Sequence, residues 1–264
     1  MDLNIKNKVA LIGGASKGLG KGCAIQLAKE GVNLAICAND EISLQETTKM
    51  IQSISAIEVL PVFADLSNVK SIKNDIVDLV LKKYGKIDIL VVNSGGPKPG
   101  TFFDLTEDDW SKAYNSVLNY VIELYRLIIP QMKVQKWGRI INCTSLSVKE
   151  PAETLLLSNV FRTGVVSMAK SLSRELITYN ITINNICPGA FKTDRAIELM
   201  TANSLKTGIP IEEIERTAVK NMPLGRYQEP SELGALVSFL ASEHARGITG
   251  TTIQIDGGIS KSLL

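Results

Sequence analysis

The chain has 264 residues, of which 45% are hydrophobic and 21% are charged, and its formal net charge is +2. This composition is ordinary for a globular protein with a substantial core. The net charge is too small to favour nucleic acid or an anionic membrane surface as a partner.

The sequence predicts a cytoplasmic protein without a metal site. No apolar run approaches the ~18 residues of a membrane span, and the N-terminus lacks a secretory-signal pattern. A single histidine, His244, makes a histidine-based metal centre or triad a poor expectation. The cysteines lack paired or metal-type spacing and are expected to be buried reduced thiols, as in the cytoplasm. They are Cys23, Cys37, Cys143 and Cys187.

Short apolar runs alternate with segments of helical period along the whole chain. The runs predict strands at 8–14, 33–37, 59–65, 87–94, 138–145, 181–189 and 252–258. The segments between them predict helices at about 18–30, 41–55, 67–84, 106–135, 159–179 and 230–242. Several runs are nearly continuous in Val, Ile and Leu, as in parallel strands buried on both faces. We therefore expect one α/β domain over 1–264, a Rossmann-type doubly wound parallel sheet of about seven strands with helices on both faces.

The least regular region is 190–229, which holds two short amphipathic pieces after a predicted strand. Ligands bind at the carboxyl ends of strands in open α/β sheets, so an insertion there is expected to act as a substrate lid. A purely structural connection is the alternative.

A glycine-rich turn joins the first predicted strand to the first predicted helix. Gly14, Gly18 and Gly20 have the spacing G-x-x-x-G-x-G in "GGASKGLG". Glycines permit a tight turn and close approach of the backbone, and a helix N-terminus attracts a pyrophosphate. The turn predicts a dinucleotide site, with a glycine-rich turn without ligand as the alternative.

The end of the second strand favours NADP(H) over NAD(H). NAD-binding proteins of this kind place an acid there to bind the ribose hydroxyls. In "LAICAND" that place is taken by Ala38, with Asn39 next, so no carboxylate repels a 2′-phosphate unless Asp40 turns toward it. Lys17, in the glycine-rich turn, is expected to pair with that phosphate.

Ordered motifs along essentially the whole chain resemble the short-chain dehydrogenase/reductase family, most closely its 3-oxoacyl-carrier-protein reductase and sugar-dehydrogenase branches. These motifs are "GGASKGLG", "FADLSN", "VVNSGG", "WSKAYN", "INCTS", "NICPGAFKTD" and the run from "NMPLGRYQEP" to "IDGG". The resemblance implies an NAD(P)(H)-dependent oxidoreductase of small carbonyl or alcohol substrates. It also implies a homodimer or homotetramer that pairs through the helices at 106–135 and 159–179.

The same resemblance implies a set of coenzyme contacts. The turn is expected to bind the phosphates through Gly14, Ser16, Lys17, Gly18, Leu19 and Gly20. The adenosine is expected to contact Asn39, Asp65 and Leu66, and the adjacent ribose to contact Asn93, Ser94 and Gly95. The nicotinamide half is expected to contact Pro188, Gly189 and Thr193. In this chain, Ser94 replaces the second Asn of the family's Asn-Asn-Ala-Gly motif and Gly95 replaces the Ala.

The family's active site combines Asn, Ser, Tyr and Lys. Asn115 and Ser145 match the first two residues. Family spacing puts the tyrosine thirteen residues after the serine and the lysine four residues later, which gives Ser158 and Arg162. The register is supported because the segments that follow align without gaps.

These two replacements remove the usual proton donor. The family's tyrosine has a pKa of about 10, lowered by the lysine, and protonates the substrate oxygen. A serine hydroxyl has an acidity near that of water, with a pKa of about 15.7, and Ser158 is also shorter. Arg162, with a pKa above about 12, is expected to bind the nicotinamide ribose but is a poor proton relay.

Lys149 is a possible substitute donor, because it follows Ser145 by four residues. Buried near Arg162, it would deliver a proton through Ser145 or a water; a solvated loop lysine is the alternative. Two functions stay open: an oxidoreductase with a non-standard proton donor, or a catalytically weak or inactive nucleotide-binding protein with a regulatory role.

Overall fold

The computed structural model describes residues 1–263, and a single parallel sheet of seven strands runs through its centre in the order β3-β2-β1-β4-β5-β6-β7. The strands are β1 Val9–Ile12, β2 Asn33–Ala38, β3 Val59–Phe63, β4 Ile89–Val92, β5 Gly138–Cys143, β6 Ile181–Pro188 and β7 Thr252–Ile255. Each lies on one of the predicted apolar runs. The prediction of a doubly wound parallel sheet is confirmed.

The strand order reverses beside β1, which pairs with β2 on one side and with β4 on the other. Ile12 is in register with Ile36 of β2 and Val91 of β4. A crevice opens at such a switch point because the connections from the two strands leave in opposite directions. The glycine-rich turn follows β1 directly and therefore lies at this crevice.

Helices cover both faces of the sheet. They are α1 Gly18–Lys29, α2 Glu41–Ile54, α3 Asp78–Tyr84, α4 Glu107–Ala113, α5 Tyr120–Gln135, α6 Leu156–Leu176, α7 Asp194–Thr207, α8 Ile211–Lys220 and α9 Pro230–Leu240. Alternate residues of each strand enter opposite cores, as the twofold repeat of a strand requires. In β1, Ile12 packs in the core under α1, α2 and α9, whereas Leu11 packs in the core under α3, α5 and α6.

Two predicted helices are interrupted. The helix predicted over 67–84 contains a 3₁₀ turn at Val69–Ser71 and a π-helical turn at Lys73–Val77 before α3 begins. The helix predicted over 106–135 contains a π-helical turn at Tyr114–Asn119, where the Tyr120 amide donates to the Asn115 carbonyl. Apolar periodicity does not distinguish a local i→i+5 turn from a regular helix. Such turns are frequent at functional sites.

The region 190–229 leaves the sheet after β6 and returns before α9. Its two predicted amphipathic pieces are α7 and α8. An isolated bridge between Phe191 and Gln228 closes its base, with the Lys192 amide donating to the Gln228 carbonyl at 2.8 Å. In the part of the chain that the structure describes, no helix is long and apolar enough to span a bilayer.

Candidate functional site

Two adjoining cavities lie at the carboxyl edge of the sheet. The larger, of about 500 Å³, is lined by the glycine-rich turn, by residues that follow β4, β5 and β6, and by α6 and α7. The smaller, of about 280 Å³, is lined by the turn, by residues that follow β2, β3 and β4, and by Ser116. Both are lined by Gly14 and by the segment 94–96. An elongated ligand can therefore extend from one cavity into the other.

The glycine-rich turn has a backbone that only glycine adopts without strain. Gly14 and Gly18 have φ angles of 56° and 52°. A Cβ atom at Gly20 would overlap the Gly14 carbonyl oxygen. The Asn93 side chain closes the turn from β4 by donating to the carbonyls of Gly13 and Gly14, at 3.0 and 3.3 Å. Asn93 thus positions the turn, and the neighbouring Ser94 and Gly95 line both cavities.

The N-terminus of α1 is open to an anion. Its N-cap, Lys17, makes no capping hydrogen bond with its side chain, and the first turn carries no acidic residue. The free amide groups and the positive end of the helix dipole favour a phosphate there. The residues present therefore fit a dinucleotide, as the glycine spacing predicts.

Lys17 forms an ion pair with Asp40. The Lys17 Nζ lies 2.8 Å from the Asp40 carboxylate. Asp40 also caps α2, accepting from the Ser43 amide at 3.1 Å and from the Ser43 hydroxyl at 2.8 Å. Lys17 and then Ser43 lower the pKa of Asp40 to about 2. The carboxylate that the sequence left open has turned toward the phosphate-binding turn.

The smaller cavity contains the predicted adenosine contacts Asn39, Asp65 and Leu66. The Asp65 carboxylate accepts from the amide and the hydroxyl of Ser67, at 2.9 and 2.8 Å. These bonds fix the loop after β3 and leave Leu66 to supply an apolar surface.

The predicted nicotinamide contacts Pro188, Gly189 and Thr193 line the larger cavity. Gly189 packs directly against the backbone of Asp256, where a Cβ atom would overlap. The Thr193 hydroxyl caps α7 by accepting from the Ala196 amide at 3.2 Å. This part of the site is therefore built from the end of β6 and the start of α7.

Three serines form a hydrogen-bonded string that begins next to Thr144, a residue that lines the larger cavity. The Ser145 hydroxyl oxygen accepts from the Ser147 amide at 3.1 Å. The Ser147 and Ser158 hydroxyls lie 3.2 Å apart, and both residues are buried. Ser158 therefore bonds to the loop after β5. Within residues 1–263 the Ser145 hydroxyl donates no hydrogen bond, so its hydrogen is free for a ligand.

Arg162 is the one predicted catalytic residue, among those the structure describes, that lines the larger cavity. Its Nη1 donates to the Cys143 carbonyl at 2.9 Å, which anchors the guanidinium at the end of β5. Burial lowers the pKa of Arg162. The neighbouring phenol of Tyr120 is itself buried, which raises the pKa of Tyr120 to about 12 against the opposing effects of Ser94 and Arg162.

Asn115 and Lys149 bond away from the string of serines. The Asn115 side chain accepts from Asn119 at 2.9 Å, within the π-helical turn. The Lys149 Nζ donates to the Gln254 side chain of β7 at 3.2 Å, and Lys149 is half-buried. The structure thus brings Arg162 to the cavity, with Ser145 next in the chain to the cavity-lining Thr144, whereas Lys149 makes its hydrogen bond to β7.

Known proteins resemble the chain along nearly its whole length. The family model described as enoyl-(acyl carrier protein) reductase matches residues 14–260. A 3-oxoacyl-[acyl-carrier-protein] reductase of Staphylococcus epidermidis is 31% identical over 257 residues, which cover 96% of this chain and 99% of the relative. The chain belongs to the short-chain dehydrogenase/reductase family.

This short-chain dehydrogenase/reductase is also similar to reductases of small carbonyl compounds, one compared by sequence and one by structure. A diacetyl reductase of Staphylococcus epidermidis is 33% identical, with 96% of this chain and 98% of the relative covered. L-sorbose reductase of Gluconobacter frateurii, complexed with NADPH and L-sorbose, superposes with a TM-score of 0.95 at 28% identity, and all of both chains is covered.

Sequence reasoning missed two residues of this site in the short-chain dehydrogenase/reductase, Ser147 and Tyr120, and it left the role of Asp40 open. Ser147 bonds to Ser158, Tyr120 adjoins Arg162, and Asp40 pairs with Lys17. The serine next but one to Ser145 and the acid after Asn39 were visible in the chain. Neither pairing could be assigned, because each joins two elements whose distance depends on packing.

Proposed function

We propose that the chain is an NADP(H)-dependent oxidoreductase of small carbonyl or alcohol substrates that works without a tyrosine as proton donor. The observation that carries this proposal is that Arg162 and the glycine-rich turn line one cavity, and that Ser145 follows Thr144 of the same lining in the chain. The similarity to diacetyl reductase and to the NADPH complex of L-sorbose reductase supports small carbonyl substrates and this coenzyme.

The coenzyme is assigned to the two cavities. Its phosphates would bind at the turn and the α1 N-terminus, through Gly14, Ser16, Gly18, Leu19 and Gly20, with Lys17 at the 2′-phosphate. Its adenosine would bind at Asn39, Asp65 and Leu66, and its remaining parts along Asn93, Ser94, Gly95, Pro188, Gly189 and Thr193. When bound, the coenzyme supplies or accepts the hydride.

Ser145 and Arg162 are assigned different tasks. The Ser145 hydroxyl donates a hydrogen bond to the substrate oxygen, where negative charge develops during reduction. Arg162 holds the nicotinamide ribose by its guanidinium and adds a fixed positive charge. Asn115 positions α5 through the carbonyl that ends its π-helical turn.

The proton is assigned to a water molecule or to Lys149, acting through Ser145. The Ser158 hydroxyl is turned to Ser147 and is nearly as weak an acid as water. Loss of a positioned acid costs about 10²- to 10⁴-fold in rate, so turnover persists at a reduced level. The Lys149→Ala substitution distinguishes the two donors: turnover within about twofold of the wild type assigns water, and a loss of about 10²-fold assigns Lys149.

The region 190–229 is proposed as the substrate lid of a single domain. The start of α7 contributes Arg195, Glu198 and Leu199 to the larger cavity. The bridge between Phe191 and Gln228 keeps the two ends of the region together, so the helices can move as a unit.

We also propose assembly as a homodimer or homotetramer through the helices α4 to α6. Phe161 of α6 packs edge-on against Trp110 of α4, with ring centroids 5.8 Å apart. Beside this pair, Tyr114 and Val160 remain 40% and 45% exposed. Large apolar side chains on adjoining helices suit a symmetric interface.

The proposed activity is tested by NADPH oxidation with diacetyl, L-sorbose and a short 3-oxoacyl thioester. We expect turnover of at least one substrate, and we expect Arg162→Met to weaken NADPH binding about tenfold, because it removes the positive charge and the N–H donors of the guanidinium. Tight NADPH binding without turnover of any substrate would instead support an inactive nucleotide-binding protein. Failure of NADPH to bind, measured by calorimetry, would exclude both.

A further inference from the structure

Residues 144–155, here called the Ser145 loop, connect β5 to α6. Ser145 caps a 3₁₀ turn that begins at Leu146, and the Leu146 carbonyl accepts from the Glu150 amide at 3.1 Å. A displacement of Glu150 would therefore act on the residue that follows Ser145. The contacts that hold Glu150 thus bear on the position of the Ser145 hydroxyl.

Two side chains of the Ser145 loop bond to the C-terminal part of the chain. The Lys149 Nζ donates to the Gln254 side chain of β7 at 3.2 Å. The Glu150 carboxylate accepts from the Ser260 hydroxyl at 2.8 Å and from the Lys261 amide at 3.0 Å. The bond from Ser260, followed by the bond from Lys261, lowers the pKa of Glu150. Glu150 therefore binds the end of the chain through its ionised form.

Residues 256–261, here called the C-terminal strap, have a defined shape of their own. The Asp256 carboxylate accepts from the amides of Gly258 and Ser260, at 3.0 and 2.8 Å. Gly258 has a φ angle of 84°, which glycine adopts without strain. Asp256 is buried, and its backbone packs against Gly189, which lines the larger cavity. The strap is thus anchored beside the site.

The C-terminal strap also contacts the region proposed as the substrate lid. A Cβ atom at Gly257 would lie 2.9 Å from the Cβ atom of Leu224, so the two residues are in direct contact. Leu224 lies near the C-terminal end of the region 190–229. The strap therefore joins this region to the Ser145 loop, and Glu150 is the loop residue that bonds to the strap.

We propose that Glu150 is a positioning residue for Ser145, which it holds in place by binding the C-terminal strap. The inference rests on the proposed function, since it requires that the Ser145 hydroxyl bind the substrate oxygen. Glu150 itself lines neither cavity and acts through the 3₁₀ turn. Without its two bonds to the strap, the loop places the Ser145 hydroxyl less precisely, and the chemical step slows.

The first test compares the steady-state kinetics of Glu150→Ala and Glu150→Gln with those of the wild type. We expect Glu150→Ala to lower kcat about threefold to tenfold, because it removes both bonds to the strap. KM and NADPH affinity are expected to stay within about twofold. Glu150→Gln keeps an oxygen acceptor and is expected to restore kcat to within about twofold of the wild type. An unchanged kcat in Glu150→Ala would overturn the inference.

The matched control is Glu153→Ala. Glu153 is an exposed acid of the same loop, and within residues 1–263 it has no hydrogen-bond or ion-pair partner. We expect its removal to leave kcat, KM and NADPH affinity unchanged. A loss of kcat as large as that in Glu150→Ala would mean that any change in the loop slows turnover, and it would overturn the specific role of Glu150.

Two double variants show whether Glu150 acts between the strap and Ser145. In a Ser145→Ala background, Glu150→Ala is expected to lower kcat by less than about twofold, because the hydroxyl that it positions is gone. In a Ser260→Ala background, its effect is expected to be smaller than in the wild type, because one of the two bonds is already absent. Equal losses in all three backgrounds would overturn the inference.

Hydrogen exchange measures the loop without the reaction. Glu150→Ala is expected to speed amide exchange in the Ser145 loop at least about threefold, with exchange in α1 unchanged. Turnover in the wild type with no response of kcat and of loop exchange to Glu150→Ala would overturn this inference alone. Absence of turnover in the wild type would overturn the proposed function, and the role of Glu150 with it.

Discussion

At the scale of single residues, the site separates hydrogen bonds that hold the protein together from groups that face a ligand. Ser158 and Ser147 satisfy one another inside the protein, while Ser145 accepts one bond and retains a hydrogen to donate. Ser145 and Ser147, two residues apart in the chain, thus have different chemical roles. Replacing a polar group that is buried with its partner lowers the unfolding free energy, whereas replacing the free donor lowers the turnover rate.

This distinction predicts different effects of two alanine substitutions on turnover. Ser145→Ala is expected to lower turnover about 10²- to 10³-fold, because it removes the donor to the substrate oxygen, and to lower the unfolding free energy by about 1 kcal/mol, because the Ser147 amide loses its acceptor. Ser158→Ala is expected to lower turnover by less than about fivefold and to lower the unfolding free energy by about 1 kcal/mol, because the buried Ser147 hydroxyl loses its partner.

Steady-state kinetics and urea denaturation measure both effects. If Ser158→Ala abolished turnover at unchanged stability, Ser158 would be the proton donor after all. Ser171→Ala is a suitable control, since Ser171 lies exposed on the same helix and bonds only to the Ser167 carbonyl of that helix.

At the scale of elements, the turn between β1 and α1 depends on contact with β4. The Asn93 side chain bonds to the turn, and its Nδ2 lies 2.8 Å from the position that a Cβ atom at Gly20 would take. The prediction of a phosphate-binding turn required only the glycine spacing and the flanking periodicity. The hydrogen bond from Asn93 that closes the turn could not be predicted in this way, because Asn93 follows a strand about eighty residues later in the chain.

Gly20→Ala therefore tests the turn as a unit. The added methyl group overlaps the Gly14 carbonyl and must displace the turn, so we expect a loss of about 1–3 kcal/mol in unfolding free energy. NADPH affinity is expected to fall at least about tenfold, since the phosphate-binding amides move with the turn. Thermal denaturation and calorimetry measure the two losses.

Gly247→Ala provides the comparison, because a Cβ atom at Gly247 meets nothing within 4 Å. It is expected to change stability by less than about 0.5 kcal/mol and to leave NADPH affinity unaltered. Equal effects of the two substitutions would show that the turn tolerates a side chain.

At the scale of the whole molecule, the proposed assembly places Tyr114 and Val160 between copies of the chain. Tyr114 lies in the π-helical turn before α5, Val160 lies on α6, and both side chains are partly exposed. Light scattering is expected to give the mass of a dimer or tetramer. Val160→Glu is expected to shift that mass toward the monomer, because it places a charge in a buried apolar contact.

A helical circular-dichroism spectrum unchanged from wild type would confirm that Val160→Glu still folds. Leu79→Glu serves as the control, because Leu79 is 45% exposed like Val160 but lies on α3, outside the proposed interface. A monomeric wild type, or equal masses for all three proteins, would remove the proposed interface.

The sequence by itself determined the architecture, the order of strands and helices along the chain, and the place of the phosphate-binding turn. These features follow from local periodicity, from glycine conformation and from the rule that parallel strands need crossovers. The sequence also places Ser145, Ser158 and Arg162 near one edge of the sheet, since the fifth strand ends there and the following helix begins there.

Only the tertiary structure decided which side chains pair. Arg139, in β5, is fully buried because the carbonyls of Gly138 and Asn180 accept from it, Glu243 pairs with it and Trp137 stacks on it at 4.4 Å. The partners of Lys17 and Ser158 were decided in the same way. Such distances join elements far apart in the chain, and they depend on packing at the level of an ångström, which no local pattern of residues encodes.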